Sequence, residues 1–114
     1  MRDIIITLPS KIEWEDYKRE LDAIADWSQV MNFKVPFLPK DKNIDKCYVC
    51  HRGKVVGWMK VVGFIEDGSF SCTTTSKGWS GKFIQRSGPF HYLEHPRDFW
   101  GFQGWRYYDN DYRD

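Results

Sequence analysis

Hydrophobic and polar positions alternate with two different periods along this chain, and the periods change at identifiable places. Ile4, Ile5 and Ile6 form a β-branched run that predicts an opening strand. Pro9 ends it. Ser10 and Glu13 make the S-x-x-E capping box, in which each side chain satisfies the other residue's backbone N–H. Trp14, Tyr17, Leu21 and Ile24 then recur with helical spacing, which predicts an amphipathic helix ending near Trp27 whose apolar stripe is core. Phe33, Val35 and Phe37 alternate with other residues, the mark of a short strand before Pro39, and 40–46 is a charged loop.

From Cys47 the period is two. CYVCH, the pair Arg52-Gly53 and KVVGWMKVVGFI read as a β-hairpin with Gly53 supplying the turn. Asp67-Gly68 is a second turn signal, which predicts a returning strand over 69–75 with Phe70, Cys72 and Thr74 on one face. Around Pro96 the stretch 91–99 reads as irregular, and Trp105 to Tyr108 as a closing strand before a frayed tail. No repeat, linker or low-complexity segment interrupts the 114 residues, so 1–114 is expected to be a single domain. One N-terminal amphipathic helix with several short strands indicates an α+β fold: a small, partly open β-barrel with the helix packed on it.

The run GWSGKFIQRSGPFH at 78–91 concentrates glycines, aromatic rings, cations, a serine and a histidine. Glycines let the backbone turn or approach a ligand, and the side chains offer stacking faces and phosphate partners. This predicts the rim of a binding site. Aromatic residues are 18% of the chain, more than packing alone requires. Net charge is only +1, which argues against coating nucleic acid by bulk attraction. The charge is uneven, however: 46–86 holds 7 Lys and Arg against 2 Asp and Glu, while 1–45 and 87–114 are each net −2. The middle third can therefore present a basic face.

Other chemistry is less well supported. Cys47-Tyr48-Val49-Cys50-His51 has the C-x-x-C-H spacing of haem attachment, but residues three apart on a strand point to opposite faces. A zinc site drawn from Cys47, Cys50, Cys72, His51, His91 and His95 lacks a second cysteine pair. No metal or other cofactor is expected, and the cysteines read as ordinary strand residues, one of them buried. Ser87 and His91 stand four apart with Gly88-Pro89 between them, which prevents a helix from aligning them as a nucleophile and base. No catalytic residue is assigned. Neither a signal segment nor a membrane-length apolar run is evident, which together with three cysteines points to a reduced, soluble, cytoplasmic protein without a membrane partner.

The segment FKVPFLPKDKNIDKCYVCHRGKVVGWMKVVG at 33–63 resembles the PUA-like barrel superfamily, particularly its ASCH and EVE branches. Shared features are an extended segment, a Pro-containing polar loop and a hairpin of Gly-x-Val-x-Gly type, and the likeness extends loosely through GWRYY, about two-thirds of the chain. The resemblance implies a cleft between barrel and helix that holds RNA, modified bases or nucleoside-like ligands. Some ASCH-like members are amidohydrolases acting on acetylated cytidine through a Lys-x-x-Thr segment and a glutamate. No Lys-x-x-Thr occurs in this chain, which leaves binding as the inherited role.

The expected function is thus a module that binds RNA or a modified nucleotide. Trp79 and Trp105 are expected to stack on a base, Lys82, Arg86 and Arg106 to meet phosphates, and Ser87 and His91 to hydrogen-bond a base edge. The alternatives are a small hydrolase of a nucleoside or amide using Ser87 or His91, and a protein-interaction module using the aromatic C-terminal third.

Overall fold

A computed structural model describes residues 2–8, 12–23, 30–71, 78–99 and 104–108; at 69–71, 78 and 79 only the backbone is described. The elements are β1 (Arg2–Leu8), α1 (Trp14–Ala23), β2 (Val30–Val35), β3 (Ile44–His51), β4 (Lys54–Ser71), β5 (Gly78–Asp98) and β6 (Trp105–Tyr108). The strands form one six-stranded sheet in the order β2-β5-β4-β3-β1-β6, curled into a half-barrel. This agrees with a small, partly open barrel carrying one helix. Among the described strands, β1 and β3 alone run parallel. A parallel pair needs a crossover, and α1 with β2 lies within it.

Both sides of the sheet are packed. Ile4, Ile6 and Leu8 join Cys47, Val49, Met59, Ile84 and Phe90 in the larger core, which the Tyr17 and Leu21 face of α1 covers. Ile5 points the other way, into a smaller core with Tyr48, Cys50, Val55 and Tyr108. The three consecutive isoleucines are therefore explained by a strand buried on both faces. The same alternation sends the two cysteines of C-x-x-C to opposite sides. Both are buried, not one, because each side of the sheet has a core.

The hairpin turn forms at Arg52-Gly53, with φ of 50° and 80°. Two positive values are the signature of a type I′ turn, the form that matches strand twist. Beyond it the sequence reading and the structure part. Asp67-Gly68 makes no hairpin: β4 continues to Ser71, and the backbone absorbs Asp67 as a register shift between Ile65 and Gly68. The stretch expected to return over 69–75 is the end of β4, and Cys72 and Thr74 lie outside the described residues. The Gly-rich run 78–91 and the stretch 91–99 are one 21-residue strand, β5, as far as Asp98. Phe37 lies past the end of β2 and is 59% exposed. The helix begins with the bond from Tyr17 N to Glu13 O; Ser10, Ile24 and Trp27 lie outside the described residues.

Glycine is required at position 57. A Cβ there would meet the Phe90 ring and the His91 carbonyl at 2.4 Å. Phe90 thus closes down onto the β4 backbone, and the β3–β4 register shifts by one residue at the same level.

Candidate functional site

The β3–β4 register places Tyr48 opposite Trp58 and Lys46 opposite Lys60. The β4–β5 register places Trp58 opposite His91 and Lys60 opposite Ser87. Directly opposed residues share a face, and Tyr48 fixes this one as the side away from α1. The result is a row across three strands. The Trp58 and His91 rings stack with centroids 4.0 Å apart and planes 15° apart. Lys46 Nζ stands 4.5 Å from the Trp58 centroid, a cation–π contact from the opposite flank. Lys60 and His91 are exposed, and Trp58 is half-buried against the smaller core. Asp3 Oδ1 accepts a hydrogen bond from Lys46 N at 3.2 Å, at the shift in the β1–β3 ladder. A buried carboxylate thereby fixes the backbone that carries the lysine.

The residues singled out in the sequence separate into three groups. Ser87 and His91 belong to this row. The Ser87 hydroxyl is buried and has no hydrogen-bond partner among the described residues, so His91 does not activate it as a nucleophile. Arg106 is opposite Ile5 and so faces the same side, but on β6, three strands from β4. Arg86 and Lys82 stand two residues to either side of Ile84 and so share its helix-side face; Lys82 is exposed opposite Val35, whereas Arg86 is 2% exposed. The phosphates of a nucleic-acid strand lying on the other side of the sheet do not reach it. Trp105 packs against the larger core, donates from Nε1 to the Phe37 carbonyl at 2.9 Å and has its ring 5.5 Å from that of Phe37. Trp79 pairs with Phe70 at the far end of the β4–β5 ladder; its side chain lies outside the description.

Burial displaces the two cysteine thiols, and neighbouring groups displace Arg86. Burial pushes the Cys47 thiol up to about 11, against the opposing pull of Arg86. Burial also raises the Cys50 thiol, with Gly53 and Thr7 opposing it. Both are inert as nucleophiles at neutral pH. Burial lowers Arg86, but Tyr17 and Cys47 beside it outweigh that and the net shift is upward, so the guanidinium is a buried charge. Among the described residues, no three His, Cys, Asp or Glu side chains gather at one point, and no helix is long and apolar enough to cross a membrane.

Trp58, Lys46 and Lys60 were not marked by the sequence reading. Trp58 and Lys60 stand two apart on a strand, which gives a shared face from sequence alone. Their alignment with Lys46 depends on the register shift near Gly57, which the sequence does not announce. No family model, curated protein or solved structure matches the chain.

Proposed function

We propose that the chain is a binding module for RNA or a modified nucleotide, a role in keeping with a PUA-like barrel, and that the side of the sheet away from α1 is its nucleic-acid surface. One observation carries the reading: a stacked Trp58–His91 pair flanked by Lys46 and Lys60 at the margin of the smaller core, with His91 and Lys60 exposed. Stacking on an aromatic platform is worth about 1–3 kcal/mol per base and tolerates any base. Lysines beside the platform meet the phosphates on either side of a stacked base. In this reading His91 is the ring on which a base stacks, Trp58 supports it from below, and Arg106, on the same side, reaches the flanking backbone, whereas Lys82 faces the helix side and takes no part. Arg86 and Trp105 do not take part.

The test is fluorescence anisotropy of a labelled single-stranded RNA against salt. Lys46→Glu with Lys60→Glu is expected to weaken binding about tenfold or more, and removing two phosphate contacts should flatten the log K against log salt slope by about 1.4. The same slope and affinity in the double variant would show that RNA is not held on this face. Salt-independent binding would point instead to apolar docking of another protein.

A further inference from the structure

The core on the helix side contains a charge with no counter-ion among the described residues. Arg86 is flanked across the ladders by Met31 on β2 and Val61 on β4. Its Cζ is 5.6 Å from the Phe33 ring centroid, and the Cys47 thiol lies beside the guanidinium. One terminal nitrogen donates a long hydrogen bond to the Tyr17 hydroxyl at 3.4 Å, and the Cys47 thiol is the guanidinium's other polar neighbour. Nε and the second terminal nitrogen, both buried, make none among the described residues. Cys47 supplies no negative charge, since burial keeps its thiol protonated at neutral pH.

Fully buried arginines are paired in nearly all proteins, because the desolvated charge is otherwise unfavourable. A guanidinium also has a specific complement: its planar fork matches the oxygens of a carboxylate or phosphate. Here the fork is held by an aromatic ring, a hydroxyl and two strands, and no carboxylate among the described residues meets it. The position is close to the margin of the fold. β5 adjoins the edge strand β2, and the half-buried Met31 and Phe33 side chains stand between Arg86 and that edge. Met31 is unbranched and able to repack around an entering group.

We propose that Arg86, with Tyr17, anchors a ligand site between α1 and the sheet that takes a small oxyanion, the carboxylate or phosphate group of a ligand. The site is on the opposite side of the sheet from the Trp58 row and does not depend on that row binding RNA. Removal of the guanidinium would abolish anion binding there while taking a desolvated charge out of the core.

The experiment follows the Arg86 Nε–H signal by ¹H–¹⁵N NMR during titration with inorganic phosphate and, separately, sodium acetate, each against sodium chloride at matched ionic strength. A saturable shift is expected with at least one of them. Acetate alone identifies a carboxylate ligand, and phosphate alone a phosphate-bearing one. In thermal melts the same anion should raise the Tm of the wild type and of Trp58→Ala but not of Arg86→Met, and Arg86→Met should melt no lower than wild type in chloride. Absence of a saturable shift with both anions overturns the site, whether or not Arg86→Met folds. An anion-induced Tm rise that persists in Arg86→Met overturns it equally.

Discussion

The two sides of this sheet are made by the same strands and built to different rules. The helix side has the larger core, with Ile4, Ile6, Leu8, Leu21, Met59, Ile84, Tyr17 and Phe90 packed together under α1 and, among the described residues, one buried cation, Arg86, sealed inside. The outer side has a small core around Ile5, Tyr48, Cys50, Val55 and Tyr108, bordered by rings and open cations at Trp58, His91, Lys46 and Lys60. Because strand side chains alternate, packing and recognition are assigned residue by residue: Met59 belongs to one side and Trp58 to the other. A slip of one position would exchange them.

That adjacency gives the most direct way to break the comparison. Met59→Ala removes a fully buried side chain and is expected to lower stability by about 2–5 kcal/mol, with the RNA affinity of the folded protein unchanged. Trp58→Ala should do the reverse in emphasis. It should weaken RNA binding by about 1–3 kcal/mol, since the platform under His91 is gone, and lower stability less than Met59→Ala because Trp58 is only half-buried. Urea unfolding and anisotropy on the two variants decide it. Equal losses of RNA affinity would mean that the two sides are not functionally separate.

The cysteines give a second contrast, driven by pH. Cys47 is completely buried on the helix side, and its thiol is raised from 9.0 to about 11. The folded protein therefore holds this proton more tightly than the unfolded chain does. The stabilisation is fully present below pH 9, declines as pH rises toward 11, and is gone above it. The slope from one such group is about 1.4 kcal/mol per pH unit, or roughly 2–3 kcal/mol across the window. Cys50 is raised as well and contributes in the same direction, so the quantity to measure is wild type minus Cys47→Ala in urea midpoints at pH 8, 9 and 10. That difference should shrink as pH rises. A constant difference would show that the Cys47 thiol titrates alike in both states.

Why the sequence disclosed one side better than the other follows from register. β1, the Tyr17 and Leu21 stripe, the Arg52-Gly53 turn and β6 depend on local periodicity or local turn chemistry, and all are where the residues place them. β3, by contrast, starts at Ile44, inside the charged stretch 40–46 that reads as a loop. The long strand β5 was hidden because Gly78, Gly81, Gly88 and Pro89 are loop residues by every local rule. They are tolerated in β5 because the curled sheet needs bulges and kinks: Gly81 has φ of 134°, Gly88-Pro89 is cis, and the β4–β5 ladder shifts four times. The candidate site was hidden for the same reason. Counting outward from a two-residue turn at Arg52-Gly53 puts Lys46 opposite Met59, on the helix side. The shift next to Gly57 moves the partner to Lys60 and so assembles the basic row. That shift coincides with the Phe90 ring pressing on Gly57, a contact more than thirty residues away in sequence. Ser87 and His91 were visible as residue types, whereas their neighbours were a product of long-range pairing.

Gly57 is accordingly the position where the two sides are coupled. Gly57→Ala would drive a methyl into the Phe90 ring and the His91 backbone oxygen. Overpacking of this kind costs about 1–3 kcal/mol. Relief requires β4 and β5 to separate where Trp58 and His91 stack, so some loss of RNA binding should accompany the loss of stability. Circular dichroism melts and anisotropy on the same sample measure both. A variant that loses stability but retains full affinity would uncouple the register shift from the site.

The smallest effect is expected where the helix meets the sheet at its exposed margin. Tyr92 follows His91 on β5 and so faces the helix side, where its hydroxyl donates to Asp22 Oδ1 of α1 at 2.6 Å. Tyr92→Phe keeps the ring, which packs edge-on against Trp14 and Phe90, and removes only that bond. A hydrogen bond to a charged acceptor at a solvent-exposed position contributes about 0.5–1.5 kcal/mol, and exposure favours the lower end. The shift in urea midpoint should therefore be small, and RNA affinity should not change, even though the neighbouring residue His91 is the platform itself. That pairing sharpens the contrast between the sides to its limit: one step along β5, from the ring that receives a base to the ring that holds the helix. Loss of RNA affinity in Tyr92→Phe would place α1 within the binding surface and move the site to the helix side of the sheet.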